Sequence, residues 1–442
     1  MAHAKVTSRH TEVHRALTRG GIALICNSAL TSILGVVYWL VAAHVMGRAD
    51  VGRGSALLSA LLVVSALAQL NYVRALPGLL PRAGINATKV LARAYARVVI
   101  LGIVLGVAFA ILAPLAGSRF SYVKALPVFA LLFVLSVPLY SIFSLEDSVL
   151  ATVRRAVIIP FENSTFGVLK ILLLIALVFF HSMPTSLAIV ASWMLPLVFI
   201  IIPINIYLFR RGVPQAVNTF PENLTQDEGT WVRYDFVGYL FWLLGTLPLP
   251  VVAVIVLGPV STAVFYIAFT IATAIDVLSL NLGNQLTAEM SRARGEFRDP
   301  AILFVWRVWG AIAALSLGMI ALAPYVLDIF GAQYRSAGTT VFRVLLLAAV
   351  PRSIMFLSIA AARARAAAAN DRRSGPVILL LQSTTCILTW AIALLTMHFW
   401  GILGMALGWT IASTIGATIA IVTVRPPVLS VLARRARSVR RH

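Results

Sequence analysis

The sequence predicts an all-α polytopic membrane protein of about twelve transmembrane helices, divided into two six-helix halves. Three observations lead there. The 442 residues fall into twelve apolar blocks, and 60% of them are hydrophobic against 12% charged. Lys and Arg crowd every second gap between blocks. Landmarks of the first half recur in the second at offsets of 210 to 213 residues.

A crossing helix needs about 20 mainly apolar residues. A polar, basic tail, 1–20, precedes the first span, 21–46, which closes at Met46-Gly47. The second, 55–77, leads into a basic gap, and the third, 95–116, ends at Ala113-Pro114. The fourth, 126–149, is interrupted by Pro138; the fifth, 157–180, carries Glu162 and Lys170; the sixth is 187–208. The gap 209–233, with Gly212, Pro214 and Pro221, is the longest and the natural linker. The seventh span, 234–257, closes at Leu257-Gly258, and the eighth, 262–284, bears Asp276. The ninth, 301–324, ends at Ala323-Pro324, and the tenth, 338–361, is interrupted by Pro351. The eleventh, 376–397, and twelfth, 401–424, precede a basic tail, 425–442.

The charges orient these spans, because short-loop Lys and Arg stay in the cytoplasm. The tails and even-numbered gaps, with the turns flanking them, hold 27 of the 36 Lys and Arg. The odd gaps hold five: Arg48, Arg53, Arg119, Lys124 and Arg335. Both termini are therefore expected in the cytoplasm, which requires an even number of spans. The net charge of +21 is explained first by topology and then by attraction to anionic membrane lipids, so no nucleic-acid partner is expected. Cys26 and Cys386 lie inside spans, which indicates neither a disulfide framework nor a metal cluster. The first 20 residues lack the apolar core of a removable signal peptide. No gap exceeds 25 residues, too short for a catalytic domain, which needs about 40.

The halves share more than span number. Ala113-Pro114-Leu115 parallels Ala323-Pro324-Tyr325, Pro138 parallels Pro351, and Met46-Gly47 parallels Leu257-Gly258. Six is even, so the second repeat enters the membrane in the same sense as the first. The expected units are a first lobe, 21–208, and a second, 234–424, joined by a cytoplasmic linker, 209–233. Gly102-xxx-Gly106 and Gly404-xxx-Gly408 read as close-packing sites between helices.

The stretch from Tyr38-Trp39-Leu40 through His44-Val45-Met46-Gly47 to Val51-Gly52 resembles the first hairpin of bacterial polysaccharide flippases. So do Leu79-Leu80-Pro81-Arg82-Ala83-Gly84 and Val344-Leu345-Leu346-Leu347 through Pro351-Arg352. These flippases belong to the superfamily of multidrug exporters, oligosaccharide-lipid flippases and the lipid II flippase. The resemblance implies a V-shaped pair of lobes around a central cavity and a polyprenyl-pyrophosphate-linked glycan as cargo. It implies the bacterial plasma (inner) membrane, with glycan polymerases or glycosyltransferases of the same pathway as partners. The lipid II branch carries two helices after the twelfth, which favours the polysaccharide branch.

An ionisable residue in mid-membrane is a functional candidate by default, since burying its charge costs about 2.5–3.5 kcal/mol. Arg352, with Lys170 or Arg74, is the expected holder of the pyrophosphate, because no acid lies within four residues of Arg352 on its own helix. Asp276 and Glu162 are the expected ion-coupling acids. Glu162 is also placed by helical arithmetic to pair with Lys170, a structural alternative. Tyr266, Thr270, Thr273 and Asn284 share one helix face, as do Asn27, Thr31 and Tyr38; both stripes are expected to face the seam between lobes. No nucleotide-binding loop, catalytic carboxylate pair or metal-ligand cluster is present, so neither an enzyme nor a cofactor is expected. A cation-coupled multidrug exporter and a non-transporting membrane scaffold remain as alternatives to the flippase.

Overall fold

The computed structural model describes residues 26–116, 127–180, 184–217, 231–292, 298–369 and 373–424. The predicted tails, the gap around residue 120, His181 and most of the linker lie outside these residues. The described chain is helical, with no strand among the described residues. It divides into two compact units, Met1–Gln226 and Asp227–His442, with the boundary falling inside the expected linker.

In the first unit α1 spans Cys26–Val45, and Gly47 caps the start of α2, Arg48–Ala68. The second predicted span then departs from expectation. Instead of one helix to residue 77, the chain breaks at Gln69-Leu70-Asn71, with Leu70 and Asn71 left-handed at φ of 46° and 63°. Asparagine tolerates that conformation because its short polar side chain bonds locally. The chain resumes as α3, Tyr72–Ala83, turns at Gly84 and continues as α4, Ala87–Leu112. The gap expected as a loop at 78–94 is thus mostly helical. The remaining helices are α5, Pro127–Thr152; α6, Ile158–Phe179; α7, Thr185–Tyr207; and α8, Val213–Val217. Leu76, Leu80, Leu91, Leu145, Val149 and Leu208 form the core of this unit where α3, α4, α5 and the end of α7 meet.

The second unit begins with α9, Trp231–Thr246, and α10, Leu249–Val256, a single predicted span cut in two around Pro248. Proline cannot supply the N–H that would continue the ladder. Gly258, at φ +89°, reverses the chain into α11, Pro259–Arg292, and α12, Arg298–Asp328, follows. The tenth predicted span is also cut. α13, Ala332–Leu347, stops at Ala348 and α14, Ala349–Ala369, restarts with Pro351 in its first turn. α15, Ser374–Trp400, and α16, Ile402–Val424, complete the unit. α11 packs on α14, and α15 packs on α9 and α16.

Eleven continuous stretches are long and apolar enough to cross a membrane. One of them, Arg48–Leu115, has 68 residues, about 100 Å of helix against a hydrocarbon core of about 30 Å. It contains the second and third predicted spans, so the predicted set is accounted for with two of its members fused. Ile33, Phe179, Phe199, Leu317, Leu395 and Val422 stand exposed, as lipid-facing residues do. This is a multi-pass membrane protein. Gly102 and Gly106 lie against the backbone of Pro138 and Val134, and Gly408 against that of Ala393, so both small-residue pairs sit at close helix contacts.

Candidate functional site: one caged lysine, one paired arginine

Lys170 lies four residues after Phe166 on α6, one helical turn along the same face, and is 6% exposed. Its Nζ stands 3.9 Å from the ring centre of Trp193 on α7, 5.0 Å from Phe166 and 5.3 Å from Tyr38 on α1. The rings brace one another edge to face: Tyr38 against Trp193 at 5.8 Å and Phe166 against Trp193 at 5.7 Å. Tyr38 is held further by its hydroxyl, 2.8 Å from Ser192 Oγ and donating to Ile189 O at 3.3 Å. Each ring face offers about 0.5–2 kcal/mol to a cation. No carboxylate and no hydrogen-bond acceptor is recorded at the Lys170 ammonium among the described residues.

Glu162 does not complete that site. It lies 98% buried beside Glu146, on α5, and the two carboxyl groups are near enough to act on each other directly. Asn205 Nδ2, from α7, donates to Glu146 Oε1. Asn163 Nδ2 donates to both oxygens of Asp147, at 3.3 and 3.2 Å. Both Glu162 oxygens, Glu146 Oε2, Asn205 Oδ1 and the Tyr95 hydroxyl are buried with no hydrogen-bond partner. The cluster is thus rich in unengaged oxygen and poor in donors. No group of three or more His, Cys, Asp or Glu positioned to hold a metal ion occurs among the described residues.

In the second unit the expectation that Arg352 lacks an acid is corrected by Asp276, 76 residues away in sequence. The helix restart at Ala348 places Arg352 in the first turn of α14, where its N–H bonds to Ala348 O at 2.9 Å. From there its Nε donates to Asp276 Oδ2, on α11, at 2.7 Å. The guanidinium lies 4.0 Å above the Trp409 ring and 5.2 Å from Phe356. Arg352 and Asp276 are 5% and 6% exposed, so this is a buried, mutually neutralising pair. Asp276 is thereby engaged as the partner of Arg352 rather than standing free for an ion. Arg363 and Asp235 form a second pair in this unit, at 2.8 Å.

The other expected residues are placed as follows. Arg74 is exposed on α3. Arg343 is exposed too and donates its Nε to Ile320 O at 3.1 Å. Tyr266 is buried, Thr270 and Thr273 are half-buried, and the Thr273 hydroxyl bonds back to Phe269 O at 2.8 Å. Asn27 is half-buried with an unpartnered Oδ1, and Thr31 Oγ1 donates to Asn27 O at 2.7 Å. The Asn284 side chain lies outside the described residues. Sequence reasoning missed Trp193, Trp409 and Asn205. A tryptophan two or more turns inside a span, away from the interfaces where tryptophan concentrates, is the signal that could have found the first two.

Neither a family model nor a curated protein matches the chain. Solved structures do. An inward-facing multidrug resistance MATE family transporter of the MOP superfamily superposes with a TM-score of 0.68 at 15% identity, covering 94% of this chain and 99% of that one. The lipid II flippase MurJ, in an inward closed conformation, gives 0.61 at 11% identity, over 91% and 87%. A MOP superfamily transporter from Pyrococcus furiosus Vc1 gives 0.56 at 13%, over 93% and 95%; a reversed binding-pocket polarity is reported to suggest a different function for it. Over nearly its whole length, this chain has the fold of the MOP superfamily transporters.

Proposed function

We propose that the protein is a MOP superfamily transporter that flips an anionic, polyprenyl-pyrophosphate-linked oligosaccharide across a bacterial plasma membrane. The lobes alternate access, and both termini lie in the cytoplasm. The observation that supports this cargo is Lys170. A buried ammonium costs several kcal/mol unless a counter-charge and hydrogen bonds compensate it. Three rings offset part of that cost, and the chain supplies no anion. A pyrophosphate oxygen brought by the cargo would supply both the charge and the acceptor. Arg352, already neutralised, is the weaker anion holder, and Arg74, on the exposed face of α3, suits first contact with a headgroup. Glu162, with its unpartnered oxygens beside Glu146, is the better coupling acid than Asp276. The Asn27 and Tyr266 stripes fit the cavity wall, and glycosyltransferases or a polymerase of the pathway would supply and consume the cargo.

The buried acids Glu146, Asp147 and Glu162 support a second reading, export of cationic drugs, the activity in the name of the MATE structure that the fold matches. One experiment separates the two. Parent, Lys170→Met and Lys170→Arg are expressed in a flippase-deficient strain, and surface glycan, ethidium accumulation and membrane abundance are measured together. The flippase reading expects glycan restored by the parent, partly by Lys170→Arg and hardly by Lys170→Met at undiminished abundance. Full restoration by Lys170→Met would overturn it. Lowered ethidium with no restored glycan would establish the exporter.

A further inference from the structure

A separate pocket lies wholly inside the second unit, with about 390 Å³ of void, at the small end of ligand sites, which span about 300–1,000 Å³. Its walls include Trp242, Phe356 and Trp409, with Arg352, Gln382 and Cys386. Three features of these walls fit together. Asp276 cancels the charge of Arg352, so the wall carries no net cation for a phosphate. Polar groups are nevertheless left over: Trp242 Nε1 and Gln382 Oε1 are buried with no partner. The Arg352 Nη groups make no hydrogen bond among the described residues, its recorded bond being the one from Nε to Asp276. Each such buried orphan costs about 1–3 kcal/mol until something pairs with it. The Trp409 face is covered by the guanidinium, whereas the Trp242 indole, stacked on Tyr239 at 5.7 Å, forms a flat wall of the pocket.

From this geometry we infer that the pocket docks one neutral sugar ring of the cargo, a hexose or an N-acylated hexosamine. Its hydroxyl or acyl oxygens accept from Trp242 Nε1 and the Arg352 Nη groups. A hydroxyl or amide N–H donates to Gln382 Oε1, and the apolar ring face lies on aromatic carbon. An apolar drug would leave these polar groups unpaired, and a pyrophosphate would meet a neutral wall. The inference rests on the glycan cargo proposed above and adds a site for its sugar end, distinct from Lys170.

Cys386 makes it testable, because the chain has two cysteines and the other, Cys26, is in α1. In full-length Cys26→Ser protein, the alkylation rate of Cys386 by N-ethylmaleimide is measured with N-acetylglucosamine, glucose, sodium pyrophosphate or ethidium. Tryptophan emission is read in parallel, so that a slow thiol leaves a second signal. A saturable, severalfold slowing or emission change is expected with at least one sugar and with neither pyrophosphate nor ethidium. Trp242→Phe and Gln382→Ala should each remove it. No response to either sugar, or an equal response to pyrophosphate or ethidium, overturns the pocket assignment while leaving the Lys170 result standing. Sugar protection in a protein that restores no glycan would uphold the pocket and overturn the flippase reading instead.

Discussion

Replacing Arg352 by alanine should destabilise the second unit before it tells anything about transport. The Nε–Oδ2 distance to Asp276 is 2.7 Å and both residues are at least 94% buried. Removing the arginine strands a carboxylate in an apolar surround, and breaking a buried pair in this way costs about 3–5 kcal/mol. Loss of the guanidinium from the Trp409 face adds about 0.5–2 kcal/mol. A loss of about 3–5 kcal/mol alone shifts a folding equilibrium by a factor on the order of a hundred to several thousand. Arg352→Ala should therefore accumulate poorly in membranes and, once purified, melt well below the parent. Arg352→Lys keeps the charge but not the planar stack, and should lose less. The decisive arm is the double variant Arg352→Met with Asp276→Leu, which removes both charges and keeps the volume. It should recover most of the loss, because exchanging a whole buried pair for apolar residues is often neutral or stabilising. Membrane abundance and thermal unfolding in detergent measure all three. Parent-like abundance and melting of Arg352→Ala, or a double variant no better than the single, would refute the reasoning.

Three further outcomes follow from the same geometry. A Cβ at Gly408 would stand 2.6–2.8 Å from Ala393 atoms, backbone included, so Gly408→Ala should cost about 1–3 kcal/mol in thermal unfolding. Gly318→Ala, with nothing within 4 Å, should cost nothing, and equal effects would contradict the packing. Glu162→Gln removes one member of a donor-poor carboxylate pair and should raise thermal stability while slowing transport; lowered stability would count against the coupling role. Lys170→Met, which strands no counter-ion, should accumulate at least as well as the parent, the opposite of Arg352→Ala.

Hydropathy made most of the helix plan legible, because a crossing helix must be apolar for its whole length. The span ending at Pro351 was legible as interrupted, since proline cannot extend the ladder. The kink at Leu70-Asn71 was not, because neither residue type demands the left-handed conformation they adopt. At the site, helical arithmetic gave the faces of Glu162 and Lys170 but overstated their meeting. Eight residues are about 12 Å along a helix, farther than the two side chains close on one another. The partners they found come from other helices: Glu146 for Glu162, and Trp193 and Tyr38 for Lys170. Arg352 and Asp276, 76 positions apart, illustrate the same limit. Periodicity tells which way a side chain points along its own helix, and the neighbour it meets is set by packing between helices.

The central claim is that Lys170 awaits an anion carried by a lipid. Its most direct measurement compares binding of a polyprenyl pyrophosphate with that of the uncharged polyprenol, using native mass spectrometry of purified parent and Lys170→Met. The parent should retain the pyrophosphate lipid in clear preference to the polyprenol, and Lys170→Met should bind the two alike while remaining folded. An undiminished preference in Lys170→Met, or none in the parent, would contradict the account.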